Sequence, residues 1–136
     1  MTDAGAPSGR YLGRVDPMTL DSGATPVTMW VFEDALIFVY SFHMKRPGKE
    51  EAARLADRGE LTAHDLLIQT DSLGIPVAAI TRATFKWSWR AGMVGSRLKI
   101  TLRSGETTAF LVVFKKPRRQ VKELLSGLLG DTFVVA

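Results

Sequence analysis

The segment Arg97–Leu129 constrains the fold more than any other part of the chain. Its first part alternates: Leu98, Ile100 and Leu102 point one way, and Arg97, Lys99, Thr101 and Arg103 point the other. A period of two marks a strand with one dry face and one wet face. Ser104-Gly105 supplies a turn, and a return strand runs over Glu106–Phe114. A loop of even length puts Ala109, Leu111 and Val113 beside Leu98–Leu102 and is the preferred expectation. An odd loop puts Phe110, Val112 and Phe114 there instead, because a one-residue slip exchanges the faces. The spacing of Val121, Leu124, Leu125, Leu128 and Leu129 then predicts one amphipathic helix over Arg118–Leu129, with Pro117 at its first turn and Gly130 as its stop. A hairpin followed by such a helix, after a series of strands, is how a small β-barrel is capped at one end.

Earlier strands are legible too. Val27–Phe32 and Ala35–Phe42 are dense in β-branched and aromatic residues and flank a tight Glu33-Asp34 turn. This hairpin is apolar on both faces. Trp30, Phe32, Ile37 and Val39 form one set; Met29, Val31, Leu36, Phe38 and Tyr40 form the other. A barrel wall needs one apolar face, so the second needs cover. Residues 48–70 are the natural cover. Lys49–Arg58 is helical in composition, and Gly59 ends it. Thr62 with Asp65 reads as the N-terminal cap of a second short helix carrying Leu66, Leu67 and Ile68, entered through the turn Lys45–Gly48. If neither these residues nor the N-terminal tail covers Leu36, Phe38 and Tyr40, those three become candidates for a homodimer interface. A long strand starts at Ile75 and alternates to Arg90: Ala83, Phe85, Trp87 and Trp89 against Arg82, Thr84, Lys86, Ser88 and Arg90. Ala91–Ser96 is the loop into the hairpin described first.

A chain of 136 residues can bury a core without staples. It has no cysteine, so disulfides and thiolate chemistry are excluded. Met1–Gly13 has no apolar core of a signal peptide and reads as a loose tail before a single domain over 14–136. No apolar run is long enough to span a bilayer. The expected location is cytoplasmic, with peripheral membrane contact as an option.

The pattern Ile75–Phe85 (IPVAAITRATF), then Leu98–Phe114 (LKITLRSGETTAFLVVF), then a C-terminal helix resembles a bacterial pleckstrin-homology-like or GRAM-like domain over Val27–Leu129. The resemblance implies a bent antiparallel barrel with one end plugged by the helix, and an interaction module for lipid headgroups or proteins. Lipid-binding members carry basic residues between their first two strands. If Val27–Phe32 and Ala35–Phe42 are those strands, the loop here is the short, acidic Glu33-Asp34, which argues against phosphoinositide recognition of that kind. Residues and resemblance together give a mainly β (α+β) protein. It is a small bent antiparallel sheet or barrel of about six or seven strands, with a short helical insertion and a C-terminal capping helix.

Charge is distributed unevenly. Residues 1–75 hold 7 Lys/Arg against 11 Asp/Glu; residues 76–122 hold 11 Lys/Arg against Glu106 as the one acid. Arg82, Lys86 and Arg90 share one strand face, and Arg97, Lys99 and Arg103 share the next. If the strands pair, they form one basic surface. Lys115, Lys116, Arg118, Arg119 and Lys122 form a second cluster around a helix start, where positive charge adds to free N–H groups to favour an anion. The plainer alternative is a solvated polar face, or one covered by the acidic 50–71 region. The candidate anion- or partner-binding residues are Arg82, Lys86, Arg90, Lys99, Lys115, Lys116, Arg118 and Arg119. The expected partner is an acidic protein or an anionic membrane surface. Nucleic acid is disfavoured because Phe85, Trp87 and Trp89 lie opposite the strand cations.

No catalytic or metal-binding set emerges, and no cofactor is expected. His43 ends an apolar strand. His64 and Asp65 are adjacent on a helix and so do not face each other. Gly92–Ser96 lacks the Gly-Lys-Ser/Thr ending of a phosphate loop. The expected role is a non-enzymatic binding module. A homodimerising structural subunit is one alternative. The other is a carrier using the barrel lumen, which Trp30, Phe38, Trp87 and Leu111 would fill.

Overall fold

The computed structural model describes residues 9–20, 25–40, 49–67, 72–90 and 93–135, with backbone alone at 49, 88–90, 93 and 94. Eight strands form one sheet: β1 (Tyr11–Leu20), β2 (Pro26–Phe32), β3 (Ala35–Val39), β4 (Ser72–Pro76), β5 (Ile80–Arg90), β6 (Met93–Leu102), β7 (Thr107–Val112) and β8 (Phe133–Val135). Three α-helices accompany them: α1 (Lys49–Asp57), α2 (Ala63–Leu67) and α3 (Lys115–Leu129). The strand order is β4-β3-β2-β1-β7-β6-β5-β8. All pairs are antiparallel except β5–β8, so the sheet is mixed and its two edges do not meet. The mainly β expectation with a C-terminal helix holds, while the strand count is higher and the barrel is open.

β1 joins the two halves. It pairs with β2 along most of its length and with β7 through Thr19 and Leu20. Gly13 and Asp16-Pro17 interrupt any alternation, and the register shifts twice along the strand, so periodicity does not reveal it. β1 begins at Tyr11, inside the stretch expected to be a tail; residues 1–8 of that tail lie outside the described residues. The expected continuous strand from Ile75 is also divided. Ser72–Pro76 pairs with β3, a single 3-10 turn at Val77–Ala79 follows, and β5 starts at Ile80. Gly95 and Ser96 belong to β6 rather than to a loop.

The β6–β7 turn settles the register against the even-loop expectation. Leu102 N–H donates to Glu106 O and Gly105 N–H to Leu102 O, closing a loop over Arg103–Gly105 with Gly105 at φ 90°. Such a loop needs a left-handed residue, which glycine supplies without a Cβ penalty. Leu98 therefore faces Phe110, and Ser96 faces Val112. Phe110 and Val112 enter the core, and Leu111 lies with Arg97 and Thr19 on the outer side.

Both faces of the β2–β3 hairpin are buried, in the two sets that alternation separates. Met29, Val31, Leu36 and Phe38 line the main core with Phe85, Leu98, Ile100 and Phe110. Trp30, Phe32, Ile37 and Val39 form a second core with Ala52, Ala56, Leu61, Ala63 and Leu66. The helical insertion is thus the cover, and it lies over the Trp30 face. Thr62 and Asp65 cap α2 reciprocally: Thr62 N–H donates to Asp65 Oδ2 at 3.0 Å and Asp65 N–H to Thr62 Oγ1 at 3.3 Å. Leu36 and Phe38 are fully buried, and Tyr40 is half-buried with its ring 6.5 Å from that of Phe110. These three face the main core and do not form an outer surface for a second copy, which corrects the interface assignment. Ile68, His43 and the turn Lys45–Gly48 lie outside the described residues.

α3 starts at Lys115, earlier than the stripe predicts, and lies against β1. Val121 and Leu125 are fully buried, with Leu124, Leu128 and Leu129 packed at the margin of the main core. Gly13 marks the closest approach: a Cβ there would sit 3.0 Å from a Leu124 methyl. Gly130 ends the helix at φ 56°, its N–H bonded to Ser126 O. Leu125→Ala removes packed methyl groups at the centre of this contact and should cost about 2–5 kcal/mol. Chemical denaturation checks this; an unchanged midpoint would mean that α3 is not docked.

Candidate functional site

β5 and β6 pair in the register that places their cations together. Arg82 lies opposite Thr101, Thr84 opposite Lys99, and Lys86 opposite Arg97. All six occupy the outer face, because the alternate residues Ala83, Phe85, Leu98 and Ile100 are in the core. Arg82 and Lys86 are exposed; Arg97 and Lys99 are half-buried. Lys86 stands directly opposite Arg97 in this register. The described part of the acidic 50–71 region does not cover this face: Glu50, Glu51 and Asp57 belong to α1, on the far side of the sheet order, over β2 and β3. Arg103 does not join the face. Its Nε donates to Ala78 O at 2.9 Å and its N–H to Ala79 O, tying the hairpin turn to the 3-10 segment. The backbone of Arg90 continues β5 toward the same end, and its side chain lies outside the described residues.

The second cluster gathers in a cleft where the start of α3 crosses the end of β5 and β6. The cleft has a volume of about 400 Å³ and is lined by Phe85, Trp87, Ser96, Val135 and the helix cations Lys115, Arg118, Arg119 and Lys122. Trp87 is 55% exposed at its mouth rather than buried in a lumen. The Arg118 guanidinium carbon lies 5.0 Å from the Trp87 ring centroid, a cation–π geometry. Arg118 Nε is buried and makes no hydrogen bond among the described residues. No ion pair among the described residues engages Lys115, Arg118, Arg119 or Lys122. Lys116 points to a different cleft on the other side of the helix, with Tyr11, Arg14, Asp16 and Glu123. The structure thus brings Arg82, Lys86 and Lys99 together on one surface, and Lys115, Arg118 and Arg119 in another place.

Sequence reasoning set the aromatic residues apart from the cations because it compared only the two faces of one strand. Trp87 is indeed on the face opposite Lys86. The cations that reach it come from α3, and the partly apolar, partly basic turn around Phe114-Lys115 is the one signal in the sequence for that approach. Phe114 itself is 61% exposed at the N-terminal cap of the helix.

The loop between the first two strands is now residues 21–25, since β1 precedes β2. It reads Asp-Ser-Gly-Ala-Thr and contains no cation, and most of it lies outside the described residues. Glu33-Asp34 joins the second and third strands instead and is tied in place: Glu33 N–H donates to Arg10 O, and Val77 N–H donates to Asp34 O.

No protein-family model matches the chain, and no curated protein matches it. Several solved structures match its architecture, two of them as follows. One is a chain of the Spt16D Pob3N heterodimer, 11% identical with a TM-score of 0.56, the match covering 90% of this chain and 53% of that one. The other is the hSac2 domain from human phosphoinositide phosphatase Sac2, 10% identical with a TM-score of 0.53, covering 100% of this chain and 79% of that one. The fold is pleckstrin-homology-like. The chain spans about half the length of the first neighbour. At such identities the likeness is one of fold, and it reaches neither a GRAM-like assignment nor a bacterial source. No helix among the described residues is long and apolar enough to cross a membrane.

Two measurements test the electrostatics of these surfaces. Measured against a free tryptophan derivative, the exposed Trp87 should be quenched more by iodide and less by caesium, because the surrounding cations concentrate an anion and exclude a cation. Both departures should shrink in Trp87→Phe and in high salt; a ratio of iodide to caesium quenching equal to that of the free derivative would contradict a positive cleft. At the other cleft, burial pushes the Tyr11 hydroxyl pKa above 10.0, against a smaller opposing effect of its hydrogen bond with Arg14. The folded state therefore holds this proton more tightly than the unfolded chain does. That contribution is complete below the ordinary tyrosine range and is lost as the pH rises through and beyond it. Tyr11→Phe should lose less stability on alkaline titration than the parent does.

Proposed function

We propose that the protein is a non-enzymatic interaction module that binds an acidic segment of a protein partner across the outer basic face of β5 and β6. The observation that carries this reading is exposed Arg82 and Lys86 with Lys99 on one outer face, within residues 76–122, whose one acid is Glu106. An external acidic surface complements exposed cations gathered on one face. The gathered polar groups are cations, which attract anions but do not form a nucleophile–base arrangement. One structural neighbour is itself half of a heterodimer, and an interaction role fits that fold. Leu36 and Phe38 are buried, and a homodimer through them has no surface to use. The interior is packed with Phe38, Phe85 and Phe110 and does not support a carrier.

A second reading, an anionic membrane, rests on exposed Trp87 and Phe114 beside Lys115 and Lys116, since aromatic rings with flanking cations suit a headgroup boundary. Polyglutamate and phosphatidylserine-containing vesicles separate the two. On the main reading, polyglutamate binds at low salt and binding falls steeply as the screening length shortens to about 8 Å. The double charge reversal Lys86→Glu with Lys99→Glu should weaken it by about tenfold without moving the unfolding midpoint. Absence of polyglutamate binding at low salt, or equal binding by the reversed variant, would overturn the proposal. Binding to vesicles alone would move the assignment to the membrane reading.

A further inference from the structure

The cleft between α3 and the end of β5 has features that a general basic surface does not need. Arg118 is held in place: its guanidinium lies over Trp87, and its Nε is withdrawn from solvent with no hydrogen bond among the described residues. A buried donor without a partner costs free energy until an acceptor takes its hydrogen bond. Arg119, Lys115 and Lys122 line the same space, and no carboxylate of the described residues pairs with any of the four. Such a set repels itself and calls for a compact group bearing more than one negative charge. A carboxylate carries one charge and satisfies one guanidinium fork. A phosphate monoester carries about −1.5 to −2 at neutral pH and offers three strong acceptor oxygens. The other wall of the cleft is apolar, made by Phe85, exposed Trp87 and Val135, which is 49% exposed. That wall suits the hydrocarbon or aromatic body of a side chain, whereas a sugar-like ring needs hydrogen-bond partners that Phe85, Trp87 and Val135 lack.

We infer that this cleft seats a phosphate monoester on a side chain of the protein partner, with Arg118 and Arg119 holding the oxygens and Trp87 and Val135 holding the body. This deepens the interaction-module reading and rests on it for the class of partner. It uses a different surface from the β5–β6 face, so the two can fail separately.

The test uses the full chain and small probes followed by calorimetry. Phenyl phosphate should bind at least tenfold more tightly than benzoate and more tightly than inorganic phosphate. A peptide with one phosphotyrosine should bind, its unphosphorylated form should not, and inositol 1,4,5-trisphosphate should bind more weakly than the phosphopeptide. Arg118→Gln and, separately, the exposed Arg119→Gln should each lower phenyl phosphate affinity by tenfold or more. Arg54→Gln on α1, which removes the same charge far from the cleft, should leave it unchanged. Arg119→Gln keeps the test decisive if loss of the Arg118–Trp87 contact disturbs folding. Equal affinity for phenyl phosphate and benzoate would overturn the inference, as would an unchanged affinity in Arg119→Gln. Tighter binding of the inositol phosphate than of the phosphopeptide would overturn the assignment to a side chain in favour of a headgroup. Loss of polyglutamate binding with phenyl phosphate binding intact would refute the β5–β6 reading alone.

Discussion

The stacked rings of Phe38 and Phe110, 4.3 Å apart and nearly parallel, hold the two halves of the sheet together. Phe38 belongs to β3 and Phe110 to β7, which are separated in the strand order by β2 and β1. The sheet must curl for these rings to meet, and β1 is the strand that makes the curl, with its two register shifts. Once the curl exists, its concave side needs a cover at one end, and α3 supplies it through Val121 and Leu125. The convex side of β2 and β3 needs another, and α1 and α2 supply that. The convex side of β5 and β6 receives none from the described residues, and this is where the cations lie. The position of the basic surface therefore follows from where the apolar cover runs out.

How much of this is legible in the sequence depends on contrast between neighbouring positions. Over Arg82–Lys86 in β5 and Arg97–Thr101 in β6 every second residue is charged or hydroxylated, and there the faces are read correctly. In β2 and β3 both faces are apolar, yet the two sets separate by parity, and the structure keeps each set together. In β7 the second half is apolar at every position, so parity alone leaves two registers open; the left-handed Gly105 decides between them. β1 is invisible because Gly13 and Asp16-Pro17 break its period. β8 is invisible because three residues hold no period at all. The Arg118–Trp87 contact is a matter of how a helix crosses a strand, and no spacing along the chain encodes it.

The two basic surfaces differ physically. Cations on the sheet face keep most of their hydration, and their attraction for an acidic partner is long-range and screened by salt. Arg118 is partly withdrawn from water and fixed against an indole ring, so its interaction with an anion is short-range and directional. On the proposed function, the sheet face would raise the rate at which acidic partners arrive, and the preset arginine would discriminate among the groups they bring.

β1 has a further consequence, for the order of events when the chain folds. Its last residues pair with β7, so Thr19 must wait for Leu111. The intervening β2–β3 and β5–β6–β7 pairings join neighbouring segments; the β1–β7 seam requires closure of the whole stretch between Thr19 and Leu111. During synthesis the N-terminal half emerges with the Phe38 side of its hairpin still uncovered, because Phe110 and α3 are not yet made. That side is the one a nascent chain exposes longest, and residues 1–75, with 11 Asp/Glu against 7 Lys/Arg, carry a net negative charge of the kind that opposes association of exposed apolar surface.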